Sequence, residues 1–68
     1  MLVRVDPPGY RTDLWLFLQN SGLQSLSREG EDRVRVLRGV NSRERLEEVL
    51  SLWASLNPGV SAEILAES

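Results

Sequence analysis

The order in which two hydrophobic periodicities alternate along the chain constrains its fold more than any other feature. Apolar residues at every second position are typical of strands with one buried face, and apolar residues three and four apart are typical of amphipathic helices. The patterns follow one another as strand, helix, strand, strand, helix, strand. The predicted strands are residues 2–5, 23–28, 33–37 and 60–65, and the predicted helices are residues 12–21 and the segment between Asn41 and Asn57.

The residues that border these segments predict where each helix begins and ends. Thr12 is a candidate N-cap for the first helix, and Gly22 stands where a left-handed C-cap residue belongs. Asn41, with Glu44 three residues later, predicts a capping box at the start of the second helix. Residues 57–59, Asn-Pro-Gly, stop that helix.

Two strand-helix-strand units with right-handed crossovers predict one α+β domain of the ferredoxin-like βαββαβ type, spanning residues 1–68. Its four-stranded antiparallel sheet has the order 4-1-3-2 and carries both helices on one face. The predicted helix-facing side chains are Val3, Val5, Leu26, Val34, Val36, Val60, Ala62 and Ile64, and the predicted open face holds Leu2, Arg4, Arg33, Arg35, Leu37, Glu63 and Leu65. Arg4 should have Arg35 and Glu63 as cross-strand neighbours.

Composition limits how so small a domain can be stabilised. A chain of 68 residues buries only about 60% of the surface that its unfolded form exposes. The sequence has no Cys and no His, which excludes disulfides and removes the commonest metal ligand, so we expect no metal and no cofactor. Association with a second copy of the chain is the remaining way to stabilise the domain, so a homodimer is the expected state.

Charge and hydropathy bear on partners and location. The formal net charge of −2 argues against a general nucleic-acid binder. No run is long enough for a signal peptide or a membrane span, so we expect a cytoplasmic protein without a membrane partner. The open sheet face is rich in Arg, but it receives no aromatic residue, and a sheet that binds single-stranded RNA stacks the bases on aromatic side chains.

The side chains that could catalyse a reaction lack suitable partners. The Ser hydroxyls have no His or Lys to activate them. The acidic residues form two clusters, Glu29/Glu31/Asp32 and Glu44/Glu47/Glu48. The first cluster is predicted at a hairpin tip and the second on a solvated helix face, whereas acid-base catalysis needs carboxylates that converge in a cleft. We therefore expect no enzyme activity.

The first loop and the segments around it resemble the start of an ACT domain. In that family a strand leads into an Asp/Asn-Arg-Pro-Gly loop, a helix, and a second strand that begins with Gly. Here residues 3–9, VRVDPPG, are followed by an apolar helix and then by Gly22-Leu23-Gln24. Residues 41–50, NSRERLEEVL, and residues 57–60, NPGV, are similar to the second helix and the approach to the fourth strand. The resemblance covers essentially the whole chain.

The resemblance implies a regulatory module that dimerises and binds a ligand. In ACT domains two copies often pair side by side through their second strands, with a small amino acid at the seam. By position, the ligand contacts would be Arg4, Asp6, Gly9 and Gln24. A zwitterion needs a cation, an acceptor and free backbone N–H groups near a helix N-terminus, and this loop offers all three.

Structural roles compete with these ligand contacts. Asp6 is also suited to a turn-forming Asx role, Gly9 to a position that needs glycine's backbone freedom, and Gln24 to an exposed edge. The hypothesis of a ligand-binding module has an alternative of the same kind, a structural or assembly domain that has no ligand. An RNA-binding sheet is the least favoured of the three hypotheses.

Overall fold

The computed structural model describes residues 1–37 and 40–66, which form four strands and two helices. The strands are β1 (Leu2–Asp6), β2 (Leu26–Glu29), β3 (Arg33–Val36) and β4 (Ser61–Ala66). The helices are α1 (Arg11–Asn20) and α2 (Arg43–Leu56), and a short 3-10 turn (Pro8–Tyr10) leads into α1. The order of elements along the chain is the predicted one.

The strands form one antiparallel sheet in the order β2-β3-β1-β4, which is the predicted order read from the opposite edge. In the middle of the sheet, Val3 lies opposite Val34 on one side and Ile64 on the other. The α+β architecture is therefore confirmed, and it is consistent with the ferredoxin-like arrangement.

One apolar core fills the space between the sheet and the helices. Every side chain predicted on the helix-facing side is buried or packs against this core. The helices contribute the fully buried side chains of Leu14, Leu18, Leu46 and Trp53. Met1 is also buried, although the alternating pattern did not include it, and its amino group donates a hydrogen bond of 2.6 Å to a β3 carbonyl oxygen.

The first helix begins earlier than predicted. It starts at Arg11, directly after the 3-10 turn, and its cap position is Tyr10, which makes no side-chain capping bond. Pro8 suits the start of that turn because it has no N–H group to satisfy. Thr12 consequently lies inside the helix, and its prediction as the N-cap is wrong.

The end of α1 follows the predicted glycine rule and delays the start of β2. Gly22 has a φ of +89°, and the N–H groups of Gly22 and Leu23 bond to carbonyl oxygens of the last helical turn in a Schellman motif. Leu23 is thereby buried in the core instead of starting a strand. The strand begins at Leu26 and continues through Glu29, which the sequence had assigned to a turn.

The second helix is capped by Ser42. The Ser42 hydroxyl accepts a hydrogen bond of 3.0 Å from the N–H group of Arg45, which is N-cap geometry. Asn41 precedes the cap, and its buried side chain bonds backbone groups of other segments. The capping box predicted from Asn41 and Glu44 is therefore misplaced by one residue.

Candidate functional site

A cleft of about 550 Å³ opens at the end of the sheet where β1 finishes. Alternate residues of a strand share a face, so Arg4 and Asp6 both lie on the open side of β1. The cleft is lined by Arg4, Val5, Asp6, Pro8, Asp32, Ser61, Ala62 and Glu63. Its charged groups are one guanidinium and three carboxylates, so its lining is acidic overall.

Arg4 supplies the guanidinium of this cleft and forms an ion pair with the carboxylate of Glu63, directly opposite on β4. On the other side it lies opposite Arg33, so the predicted neighbour Glu63 is confirmed and the predicted neighbour Arg35 is wrong. Both side chains of the ion pair are about half exposed, so the pair adds about 0–1 kcal/mol to stability. A guanidinium has five N–H donors, and a single carboxylate does not saturate it.

Two further carboxylates border the cleft. Asp6 ends β1, is exposed, and lies opposite Ser61. The backbone carbonyl oxygen of Asp32 accepts a 2.7 Å hydrogen bond from the N–H group of Val5, which ties the β2–β3 loop to β1. Sequence reasoning missed Asp32 and Ser61 as site residues, because only the register of the sheet brings them beside β1.

Gly9 lies in a neighbouring cavity of about 350 Å³, and Pro8 lines both this cavity and the cleft. The φ angle of Gly9 is outside the left-handed region, and a Cβ atom there would contact nothing within 4 Å. The idea that this position needs glycine's backbone freedom is therefore wrong, because the residue continues a right-handed 3-10 turn. The same cavity is bordered by Arg11, whose guanidinium bonds the carbonyl oxygen of Gly30.

Gln24 lies far from the cleft along the sheet. It precedes β2, which runs parallel to β1, so it sits at the end of the sheet where β1 begins. Its N–H group donates to Asn41 Oδ1 at 2.8 Å, and its carbonyl oxygen accepts from Asn41 Nδ2 at 2.6 Å. Within one chain, Gln24 and the Arg4/Asp6 pair are therefore not brought together.

A further ion pair lies on the open face. Glu29 of β2 bonds Arg35 of β3, with one contact of 3.3 Å between Oε1 and Nη2. The hydrogen bond from Arg35, helped by the charges of Arg35 and Arg33, holds the pKa of Glu29 below its usual value, although desolvation acts in the opposite direction. The same hydrogen bond raises the pKa of Arg35. All four aromatic side chains belong to the helices or to the turn before α1, and none lies on this face.

Comparison with known proteins assigns no family. No protein-family model, curated protein or solved structure matches this chain. In residues 1–37 and 40–66, no helix has the length and apolar character needed to cross a membrane. In that same part of the chain, no three His, Cys, Asp or Glu side chains are grouped so that they could hold a metal ion.

Proposed function

We propose that this protein is a non-catalytic, ACT-like module of ferredoxin-like fold that self-associates and binds a small amino-acid-like ligand. The observation that carries the proposal is the cleft at the end of β1, where Arg4 and Asp6 share one face. Its volume of about 550 Å³ falls in the range of about 300–1,000 Å³ that is usual for small-molecule sites. The strand order and the loop pattern VRVDPPG support the same reading.

The charges of the cleft indicate which ligands it favours. The guanidinium of Arg4 binds a ligand carboxylate, and the carboxylate of Asp6 binds an ammonium group. The Asp32 carboxylate already lies 3.4 Å from Arg33 Nε, so its contribution is the weaker one. Gly9 can contact the ligand only from the neighbouring cavity. Gln24 can contact it only if a second copy of the chain places its own Gln24 at the cleft.

Self-association is supported by the small core and by two open sheet edges. β2 and β4 each have a neighbour on one side only. The chain has no Cys with which to form a stabilising disulfide. Leucines such as Leu16, Leu52 and Leu56 remain about half exposed or more. A second copy buries further apolar surface and so raises the stability of a domain of this size.

A thermal-shift screen against the twenty amino acids tests the ligand. An amino acid present at a hundred times its dissociation constant should raise the free energy of unfolding by about 2.7 kcal/mol. The substitutions Arg4→Gln and Asp6→Asn should remove most of that shift. Glu48→Gln, an exposed change on α2, is the matched control and should keep it.

The screen also separates the competing functions. A shift that survives Arg4→Gln and Asp6→Asn places the ligand elsewhere and contradicts the proposed cleft. No response to any amino acid favours a structural domain without ligand. Retention on single-stranded RNA that weakens with salt and is lost in Arg4→Gln would favour the RNA hypothesis instead.

A further inference from the structure

The two edges of the sheet differ in how well they are protected against pairing with another chain. β2 has four residues, of which Arg28 and Glu29 are charged, and the Arg28 guanidinium lies 4.8 Å from the centre of the Trp15 ring. β4 has six residues, and its one charged side chain, Glu63, is held by Arg4. Short, charged edges deter edge-to-edge pairing, whereas a long apolar edge invites it.

A groove of about 330 Å³ runs between β4 and α2. Its apolar lining is Leu50, Ala54, Ala62 and Ile64, and Ser51 also borders it from the helix. Charged side chains complete the lining: Arg43 and Glu47, which form an ion pair on α2, and Glu63. The small side chains leave room beside the strand, so an added strand can place its own side chains in the groove while its backbone pairs with β4.

We propose that β4 and this groove receive β4 of a second copy of the chain, paired antiparallel about a two-fold axis that passes through Ile64. The inference rests on the self-association proposed above and names the surface that carries it. It replaces the second-strand pairing that the ACT resemblance implies, and it leaves Gln24 outside the ligand cleft, beside the opposite edge strand β2. The result is a continuous eight-stranded sheet with all the helices on one face.

Three considerations fix the register of the two β4 strands: the sheet face on which each side chain lies, the charge of the residues that come to lie opposite each other, and the number of residues that pair. Residues directly opposite each other in an antiparallel pair share a sheet face, so a two-fold axis must place some residue of β4 opposite itself. An axis at Glu63 sets two carboxylates against each other, which is destabilising. An axis at Ile64 places two β-branched side chains opposite each other and pairs Ala62 with Ala66 of the second copy.

This pairing also places the ligand cleft next to the seam. Glu63 lines the cleft and, in this register, lies opposite Leu65 of the second copy. Leu65 is 44% exposed in the single chain, so it gains a neighbour on dimerisation.

Disulfide trapping tests the register directly, because the natural sequence has no Cys. Under mild oxidation Ile64→Cys should give a covalent dimer of twice the 7.7 kDa chain mass. In the matched control Ala62→Cys, the same pairing holds the two thiols about four residues, or about 13 Å, apart, too far to bridge. Ser27→Cys, on β2, should also stay unlinked.

Sedimentation of the unmodified chain and of Ser51→Arg at micromolar concentration completes the test. The unmodified chain should sediment as a dimer, and Ser51→Arg, an exposed helix position that fills the groove with a charged side chain, should sediment as a monomer. A dimer that persists in Ser51→Arg, or in which Ile64→Cys stays unlinked, overturns the β4 surface and leaves self-association standing. An unmodified chain that is monomeric throughout overturns self-association as well.

Discussion

A single buried amide, that of Asn41, connects three segments of the chain. Its Nδ2 group donates to the carbonyl oxygens of Gln24 and Leu37 at 2.6 and 2.8 Å, and its Oδ1 atom accepts from the N–H group of Gln24. Asn41 is only 8% exposed. The Asn41 side chain thus takes the place of backbone hydrogen bonds between the segment before β2 and the segment before α2. Without it, the bonded backbone groups of Gln24 and Leu37 would lack these partners.

Removing this amide should cost more than removing the helix cap next to it. Asn41→Ala leaves the partner groups on Gln24 and Leu37 unpaired, and we expect the free energy of unfolding to fall by about 2–3 kcal/mol. Ser42→Ala removes only the N-cap and should cost about 1 kcal/mol. Urea denaturation of the two variants measures both values. A larger loss in Ser42→Ala than in Asn41→Ala would contradict the roles assigned to them.

At the scale of elements, α1 and α2 are joined by a polar contact within an apolar interface. Trp53 is fully buried, and its Nε1 group donates to Asp13 Oδ2 at 3.0 Å. Tyr10 packs edge-on against the same indole ring, with ring centres 6.4 Å apart. Asp13 also stands in the first turn of α1, where a negative charge suits the helix dipole.

Truncation of Asp13 should loosen the contact between the helices. Asp13→Ala leaves the indole N–H without a partner, and we expect a loss of about 1–3 kcal/mol in the free energy of unfolding. Asp13→Asn keeps an acceptor and should lose less. Thr12→Ala is the control: because Thr12 is exposed and is not the cap, its loss should stay below about 0.5 kcal/mol. Equal losses in Asp13→Asn and Asp13→Ala would show that the charge, and not the indole contact, is what matters.

At the scale of the whole molecule, the ion pair between Glu29 and Arg35 on the open face links folding stability to pH. The folded-state pKa of Glu29 lies below its ordinary value of 4.5, chiefly because of the hydrogen bond from Arg35. A carboxylate with a lowered pKa stabilises the folded state at pH values above its unfolded pKa, and this contribution is lost as the pH falls through the folded pKa.

The loss should appear in acid and not near neutrality. As the pH is lowered from neutral to below 4.5, the unmodified chain should lose more stability than Glu29→Gln does, since the variant has no proton to take up at that site. Glu31→Gln, in the exposed loop beside it, should keep the pH dependence of the unmodified chain. Urea midpoints across this range provide the measurement, and parallel curves for the unmodified chain and Glu29→Gln would exclude a role for the Glu29–Arg35 pair.

Local patterns in the sequence determined the element order, the strand residues that face the helices, and the glycine that ends α1; the strand order followed from these elements and the right-handed crossover rule. The elements, their buried faces and the end of α1 depend on residues a few positions apart: alternation within a strand, three- and four-residue spacing within a helix, or the left-handed backbone of Gly22. Such periodicities can be read directly from the sequence, because the apolar side chains of one helix or strand must all face the same core.

The tertiary structure alone decided the register of the sheet and the membership of the candidate cleft. The ion pair of Arg4 with Glu63 joins residues 59 positions apart, and the bonds of Asn41 to Gln24 span 17 positions. No local pattern distinguishes Arg33 from Arg35 as the residue opposite Arg4, because both lie on the same face of β3 and a shift of two residues preserves the alternation. Such choices are made by the packing of the whole core and by the loops that join its strands.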